Sequence, residues 1–148
     1  MNDTLRYWMI LVFIVVGAYA APTHNKEFVI VIPSYNNAEW FLQNLDSVLS
    51  QTYTHWRIIY IDDASSDGTA QLVADYIKQH NLEDKVTLIP NSTHKGALAN
   101  HYRAVHMCED WEIVCQLDGD DWFAHNDVLA MLNDIYQDEN IWLTYGSF

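Results

Sequence analysis

Three carboxylates stand within four positions in Asp118-Gly119-Asp120-Asp121, directly after the mostly apolar stretch Ile113 to Leu117. Crowded anions raise one another's pKa unless a cation or a set of donors is supplied. The cluster is therefore either a solvated turn or a site for a divalent ion. Mg2+ or Mn2+ on such oxygens keeps open positions for diphosphate oxygens. A second acidic stretch, Asp62-Asp63-Ala64-Ser65-Ser66-Asp67-Gly68-Thr69, follows Ile58 to Ile61. A capped helix start explains Asp67, Gly68 and Thr69 but leaves Asp62 and Asp63 unexplained. A calcium loop fits neither stretch. Counted from Asp63 its closing twelfth position is Ala74, and counted from Asp118 its fifth is Trp122. A third polar group, Pro33-Ser34-Tyr35-Asn36, closes another apolar run. A carboxylate at a strand end can accept from a ring N–H such as that of uracil, and Tyr35 offers a stacking face. Taken together the three clusters describe a nucleotide-diphosphate site, with the metal offsetting the meeting of diphosphate and carboxylates.

These groups need a scaffold that brings them together. Phe28 to Ile32, Ile58 to Ile61, Val86 to Ile89 and Glu112 to Leu117 read as strands, and Ile141 to Tyr145 as a fifth. Apolar spacing predicts helices over Glu39–Ser50, Thr69–His80, Ala97–Met107 and Asn126–Tyr136, the last capped near His125 or Asn126. Strands apolar throughout belong in a parallel sheet covered on both faces, and their alternation with helices predicts a doubly wound α/β fold. In such sheets ligands bind beyond the carboxyl ends of the strands, where all three clusters fall.

Seven Lys and Arg face twenty Asp and Glu, a formal charge of −13. That balance argues against nucleic acid or an anionic membrane surface as the main partner. The length is that of one domain, and half of the residues are apolar, enough for a core. The apolar run Tyr7 to Ala21 ends in Ala18-Tyr19-Ala20 and is short for a membrane span. Residues 1–21 are expected to be a signal peptide or a membrane anchor, directing the chain to the secretory lumen, the exterior or a membrane. The domain proper runs over 27–148. Cys108 and Cys115 lack metal-type spacing, and a bridge between them is conceivable in an oxidising compartment. The seven histidines lie scattered without ligand spacing.

Val29 to Asn36, Ser47 to Tyr53, Ile58 to Thr69, Asn91 with Gly96, Ala99 and Asn100, and Leu117 to Phe123 together resemble family 2 glycosyltransferases, with Leu143 to Ser147 as the strand that follows. The resemblance runs in the family's order from about Phe28 onward. It implies the Rossmann-like GT-A fold, a mostly parallel sheet with helices on both faces. It implies a nucleoside-diphosphate sugar as donor, UDP-sugar by preference, and Mn2+ or Mg2+ as cofactor. Pro33, Ser34, Tyr35, Asn36, Asp62 and Asp63 would surround the nucleotide. Asp118, Gly119 and Asp120 would meet ribose and sugar, with Asp120, Asp121 and Asp118 as metal ligands. Lys95 and Arg103 are the nearest basic groups, either phosphate contacts or part of a solvated helix face.

Members of that family transfer the sugar with inversion, using a carboxylate base that lies well beyond the acidic cluster. No residue of this sequence takes that role, so the sequence reads as a truncated donor half. The expected activity is sugar transfer to a carbohydrate, lipid or protein acceptor, with a second chain among the partners that would complete the acceptor site. The alternative is a non-catalytic sugar-nucleotide-binding or assembly module.

Overall fold

The computed structural model describes residues 24–146. The expected signal peptide or anchor therefore lies outside the described residues, within which no helix is long and apolar enough to cross a membrane. The elements alternate strictly: β1 (Glu27–Ser34), α1 (Phe41–Leu49), β2 (Trp56–Asp62), α2 (Thr69–Gln79), β3 (Val86–Pro90), α3 (Ala97–Val105), β4 (Glu112–Gln116) and α4 (Val128–Ile135). All strand pairs are parallel and the order is β3-β2-β1-β4. The expected α/β architecture is the one observed.

The strands are apolar on both sides because both sides are covered. Phe28, Ile30, Ile32, Ile58 and Tyr60 point into a core shared with Leu45 and Val48 of α1, Val73 and Ile77 of α2, and Leu129 of α4. The intervening Val29, Val31, Ile59 and Ile61 face the opposite layer, where Ala104 of α3 packs. This period-two division needs apolar residues at every position of a central strand. Leu129 has no exposed surface. Leu129→Ala is expected to lower unfolding stability by about 2–5 kcal/mol, read as a shift of the urea midpoint.

Chain order runs outward from β1 to β3 and then returns to the other side of β1 with β4. The connections on either side of β1 diverge there, opening a crevice at the carboxyl ends of β1 and β4. At the opposite end, Arg57 of β2 reaches over β1 and forks onto Glu112 of β4, with both N···O distances 2.7 Å. This hydrogen-bonded guanidinium holds the Glu112 carboxyl below its usual range, against the opposing effect of burial.

Two expectations are corrected. Ile141 to Tyr145 is irregular, not a strand, and Trp142, Leu143 and Tyr145 are 81–91% exposed. A strand exists only where a neighbouring edge supplies its ladder, and this segment lies along no strand of the described sheet. The two cysteines are free and pack on opposite faces of the sheet, Cys115 against the larger core and Cys108 against the smaller. The sheet between them excludes the conceivable bridge. Smaller differences concern helix ends. α1 begins two residues late because Asn37 to Trp40 forms a turn, and α4 begins at Val128 with Asp127 as its cap residue, whose N–H donates to His125 Nδ1 at 3.2 Å.

Candidate functional site

The crevice is assembled by close approach of three strand ends. Ser34 and Asp62 are register partners at the ends of β1 and β2. Beyond the β1–β4 ladder the pairing continues, with Leu117 N donating to Val31 O and Gly119 N to Pro33 O, both at 3.1 Å. The acidic turn is thereby drawn onto the end of β1. Gly119 makes this approach feasible: a Cβ there would lie 2.8 Å from Ser34 Cβ and Oγ and 2.5 Å from Asn37 Nδ2. Ser34 is itself fixed from below, since the buried Tyr60 hydroxyl donates to its Oγ at 2.9 Å. Burial pushes the Tyr60 phenol up to about 12, although the Ser34 bond opposes the shift.

Helix α1 clamps the turn from the other side. Asn44, fully buried, donates through Nδ2 to the carbonyls of Asp118 at 3.0 Å and Asp121 at 2.8 Å. Ser47 Oγ accepts from Phe123 N at 3.1 Å. Gln51 donates to His125 O at 2.8 Å and accepts from Leu129 N at 3.0 Å. Asn44, Ser47 and Gln51 occupy positions i, i+3 and i+7, one stripe of a helix or its extension. Sequence reasoning assigned them no role. Polar residues on a stripe shared with Leu45 and Val48 were the available signal, because a buried polar side chain needs a partner.

The carboxylates themselves differ sharply in environment. Asp118, Asp120 and Asp121 are exposed. His101 Nε2 approaches Asp118 Oδ1 at 3.9 Å, and among the described residues neither Asp120 nor Asp121 has an ion-pair partner. No three metal-ligating side chains converge among the described residues.

Asp63 is the opposite case, 2% exposed and surrounded by donors. Its Oδ1 accepts from Asn91 Nδ2 at 2.9 Å and Lys95 N at 2.8 Å, and its Oδ2 from Gly96 N at 2.8 Å. His94 Nδ1 lies 3.0 Å from that same Oδ2. Burial alone would raise this carboxyl, but the bonds from Asn91 and from the Lys95 and Gly96 amides outweigh it and hold the group at about 2. Asp63 thus fastens the loop after β3 to the end of β2. Asn91 extends the network to Asn100 Oδ1 at 2.8 Å and accepts from Arg103 Nη1 at 3.1 Å, which ties Arg103 to the rim of the site. The Asp62 side chain accepts from Ser65 N at 3.1 Å through Oδ2, while its buried Oδ1 has no partner.

The remaining expected residues divide between ligand-facing and structural positions. Tyr35 is 49% exposed at the mouth of the crevice, with its ring 4.5 Å from that of His94. Asn36 instead laces two loops: its N–H donates to Ser65 Oγ at 2.8 Å and its Oδ1 accepts from Ser66 N at 2.9 Å, with φ at +55°. Ala38 N donates to Asp67 Oδ2 at 2.9 Å, and Asp67 Oδ1 accepts from Thr69 N at 3.0 Å. The expected role of Asp67 at the start of α2 is observed, with Gly68 at φ +93° as the turn residue. Trp122 stacks against Trp40 at 6.2 Å beside the acidic turn.

A parallel sheet in the order 3-2-1-4, with acidic groups at the carboxyl ends of β2 and beyond β4, is the framework of a doubly wound α/β domain with its ligand crevice at the strand ends. The model of the family Glycosyl transferase family 2 matches residues 29–146, and the chain belongs to that family. It is 31% identical over 120 residues to the UDP-Glc:alpha-D-GlcNAc-diphosphoundecaprenol beta-1,3-glucosyltransferase WfgD of Escherichia coli, covering 80% of this chain and 44% of that protein. A mannosyltransferase of Pyrobaculum calidifontis, solved in complex with GDP-Man and Mn2+, superposes with a TM-score of 0.66 at 28% identity, covering 74% of this chain and 32% of that one. Staphylococcus aureus TarS in complex with UDP superposes with a TM-score of 0.66 at 21% identity, over 77% of this chain and 33% of that one, a likeness of fold. The chain spans less than half the length of these relatives.

Proposed function

We propose that the chain forms the donor-binding half of a metal-dependent glycosyltransferase that takes a UDP-sugar and transfers the sugar with inversion. The observation that carries this reading is the convergence of Ser34, Tyr35 and Asp63 with the acidic turn at one crevice, where Gly119 lets the turn close onto β1. Tyr35 and Asp63 suit the base, one as a stacking face and the other as a buried anionic acceptor. Ser34 and Gly119 form the floor beneath ribose and diphosphate.

The acidic turn fits a divalent ion by its chemistry: exposed carboxylate oxygens with no Lys or Arg partner among the described residues. Asp120 and Asp121 would hold the ion, with Asp118 beside them, and diphosphate oxygens would supply further ligands. When bound, the ion stabilises the negative charge that develops on the departing diphosphate. The chain's own residues bind and orient. Asn44 and Ser47 hold the turn's backbone, so that its carboxylates are carried on a fixed support at the end of β1. In the transfer, the bond from the anomeric carbon to the diphosphate oxygen breaks as that from the acceptor oxygen forms on the opposite face. The acceptor proton passes to a base other than the residues assigned here.

Calorimetry with UDP tests the reading. Binding is expected in the presence of Mn2+, weakened at least about tenfold by its removal with chelator or by Asp120→Ala, a loss of about 1.4 kcal/mol. Equal affinity with and without Mn2+ rejects the metal role; no binding under either condition rejects the donor site. Release of labelled sugar from UDP-sugars to an acceptor separates a transferase from a module that only binds.

A further inference from the structure

The space between Tyr35 and Asp63 is occupied by a side chain of the protein itself. The His94 imidazole lies with its ring centroid 4.5 Å from that of Tyr35. Its Nδ1 lies 3.0 Å from Asp63 Oδ2 and 3.4 Å from the Asp63 carbonyl oxygen. Both are acceptors, so Nδ1 carries a hydrogen. A heteroaromatic ring that packs on Tyr35 at a tilt of 57° and sets its Nδ1 against Asp63 occupies the two contacts proposed above for a nucleobase. We propose that His94 is a resident stand-in for the base, which must leave Tyr35 and Asp63 before the nucleotide enters, and that it thereby sets the donor affinity of the site. This rests on the nucleotide-binding reading of the crevice.

The exchange follows from the inventory around Asp63. Its two oxygens have about four acceptor positions. Three are taken by Asn91 Nδ2 and the amides of Lys95 and Gly96, at 2.8–2.9 Å. Two of those donors are backbone, and Asn91 is held by Asn100 and Arg103, so none can withdraw without opening the loop. The fourth is faced by His94, whose Nδ1 lies 3.0 Å from Oδ2 while it hydrogen-bonds the Asp63 carbonyl oxygen; its side chain is 57% exposed and can swing into solvent by rotation about its own side-chain bonds. An incoming ring N–H therefore has one replaceable partner.

The incoming base must also replace what it removes. Asp63 is buried and held as a carboxylate, so a ligand presenting a ring nitrogen without hydrogen would face that charge with a lone pair. Uracil, with N3–H, satisfies the exchange; cytosine, with an unprotonated N3, does not. His94 thus acts as a threshold that a base with a ring N–H crosses and one without it does not.

Calorimetry with UDP and Mn2+ is run on wild type, His94→Ala and His94→Phe, with CDP and Mn2+ as the second ligand. His94→Ala is expected to bind UDP about three- to tenfold more tightly, since the competing closed state is removed. His94→Phe keeps a ring on Tyr35 but donates nothing to Asp63, and is expected to fall between the two. In wild type, NMR signals of the His94 ring are expected to shift on adding UDP as the ring leaves Tyr35. Weaker or unchanged UDP binding by His94→Ala, with wild type binding normally, overturns the stand-in role and leaves the donor site intact. Equal affinity of wild type for CDP and UDP overturns the ring N–H requirement. Failure of both wild type and His94→Ala to bind UDP overturns the donor-site reading and this inference with it.

Discussion

Asp63→Asn is expected to destabilise the fold by about 2–5 kcal/mol and to abolish UDP binding. The substitution keeps the shape of the side chain and turns one acceptor oxygen into an NH2 group. That group then faces donors on whichever side it takes: Asn91 Nδ2 and Lys95 N on one, Gly96 N and His94 Nδ1 on the other. Each buried donor left without an acceptor costs about 1–3 kcal/mol, and repulsion between facing N–H groups drives the loop off β2. The loop carries His94 and leads into α3, so both the fold and the crevice suffer. The pH dependence supplies a second readout. The folded carboxyl is held at about 2, against 3.8 for an ordinary Asp. Its stabilisation is therefore fully present above about pH 4–5 and is lost as pH falls through about 2, a difference of about 2 kcal/mol. Wild type should lose that component between pH 5 and pH 2 in urea melts, and Asp63→Asn should lack it. Equal stability of the two proteins at pH 7, or equal acid dependence, would falsify the role of Asp63 as the loop's anchor.

Gly119→Ala is expected to lower stability by about 1–3 kcal/mol and to weaken Mn2+-dependent UDP binding by one to two orders of magnitude, about 10- to 100-fold. The added methyl would meet Ser34 Cβ at 2.8 Å, and Ser34 cannot retreat because it ends the buried strand β1 and is supported by Tyr60. Overpacking of this kind is relieved by moving backbone. The turn must move, since its Asp118–Asp121 segment is exposed on its outer side. A displacement near 1 Å at a binding carboxylate is enough for a loss of about 100-fold. Gly146→Ala is the control, because nothing lies within 4 Å of a Cβ there. Wild-type melting and binding in Gly119→Ala would show that the turn does not depend on this close approach.

These two predictions differ in how much of them is legible without the structure. Asp63 and Gly119 are both conspicuous in the sequence, as members of acidic clusters after apolar strands. Their site is legible because the rule for doubly wound sheets places strand ends together whatever the loops do. Their roles are not. Asp63 reads as an open acceptor for a ligand, yet most of its capacity is used by a loop 28 to 33 residues away. Gly119 reads as a member of the ligand contact set, and its evident task is to leave room for Ser34.

The sequence by itself determined the architecture, because apolar residues on both faces of β1 and β2, alternating with one-sided helices, can be buried in few other ways. It also determined which strand ends carry carboxylates. Only the tertiary structure decided which carboxylates are free. The Asn44 and Gln51 bonds to the acidic turn and to α4 span 74 to 78 residues, and no periodicity encodes such partners. It decided likewise that Ile141 to Tyr145 is no strand, since strand formation depends on a neighbouring edge as well as on an apolar run. And it placed His94, one scattered histidine among seven, on Tyr35 and Asp63. Local pattern dictates what is buried, whereas hydrogen-bond capacity is settled only when distant segments meet.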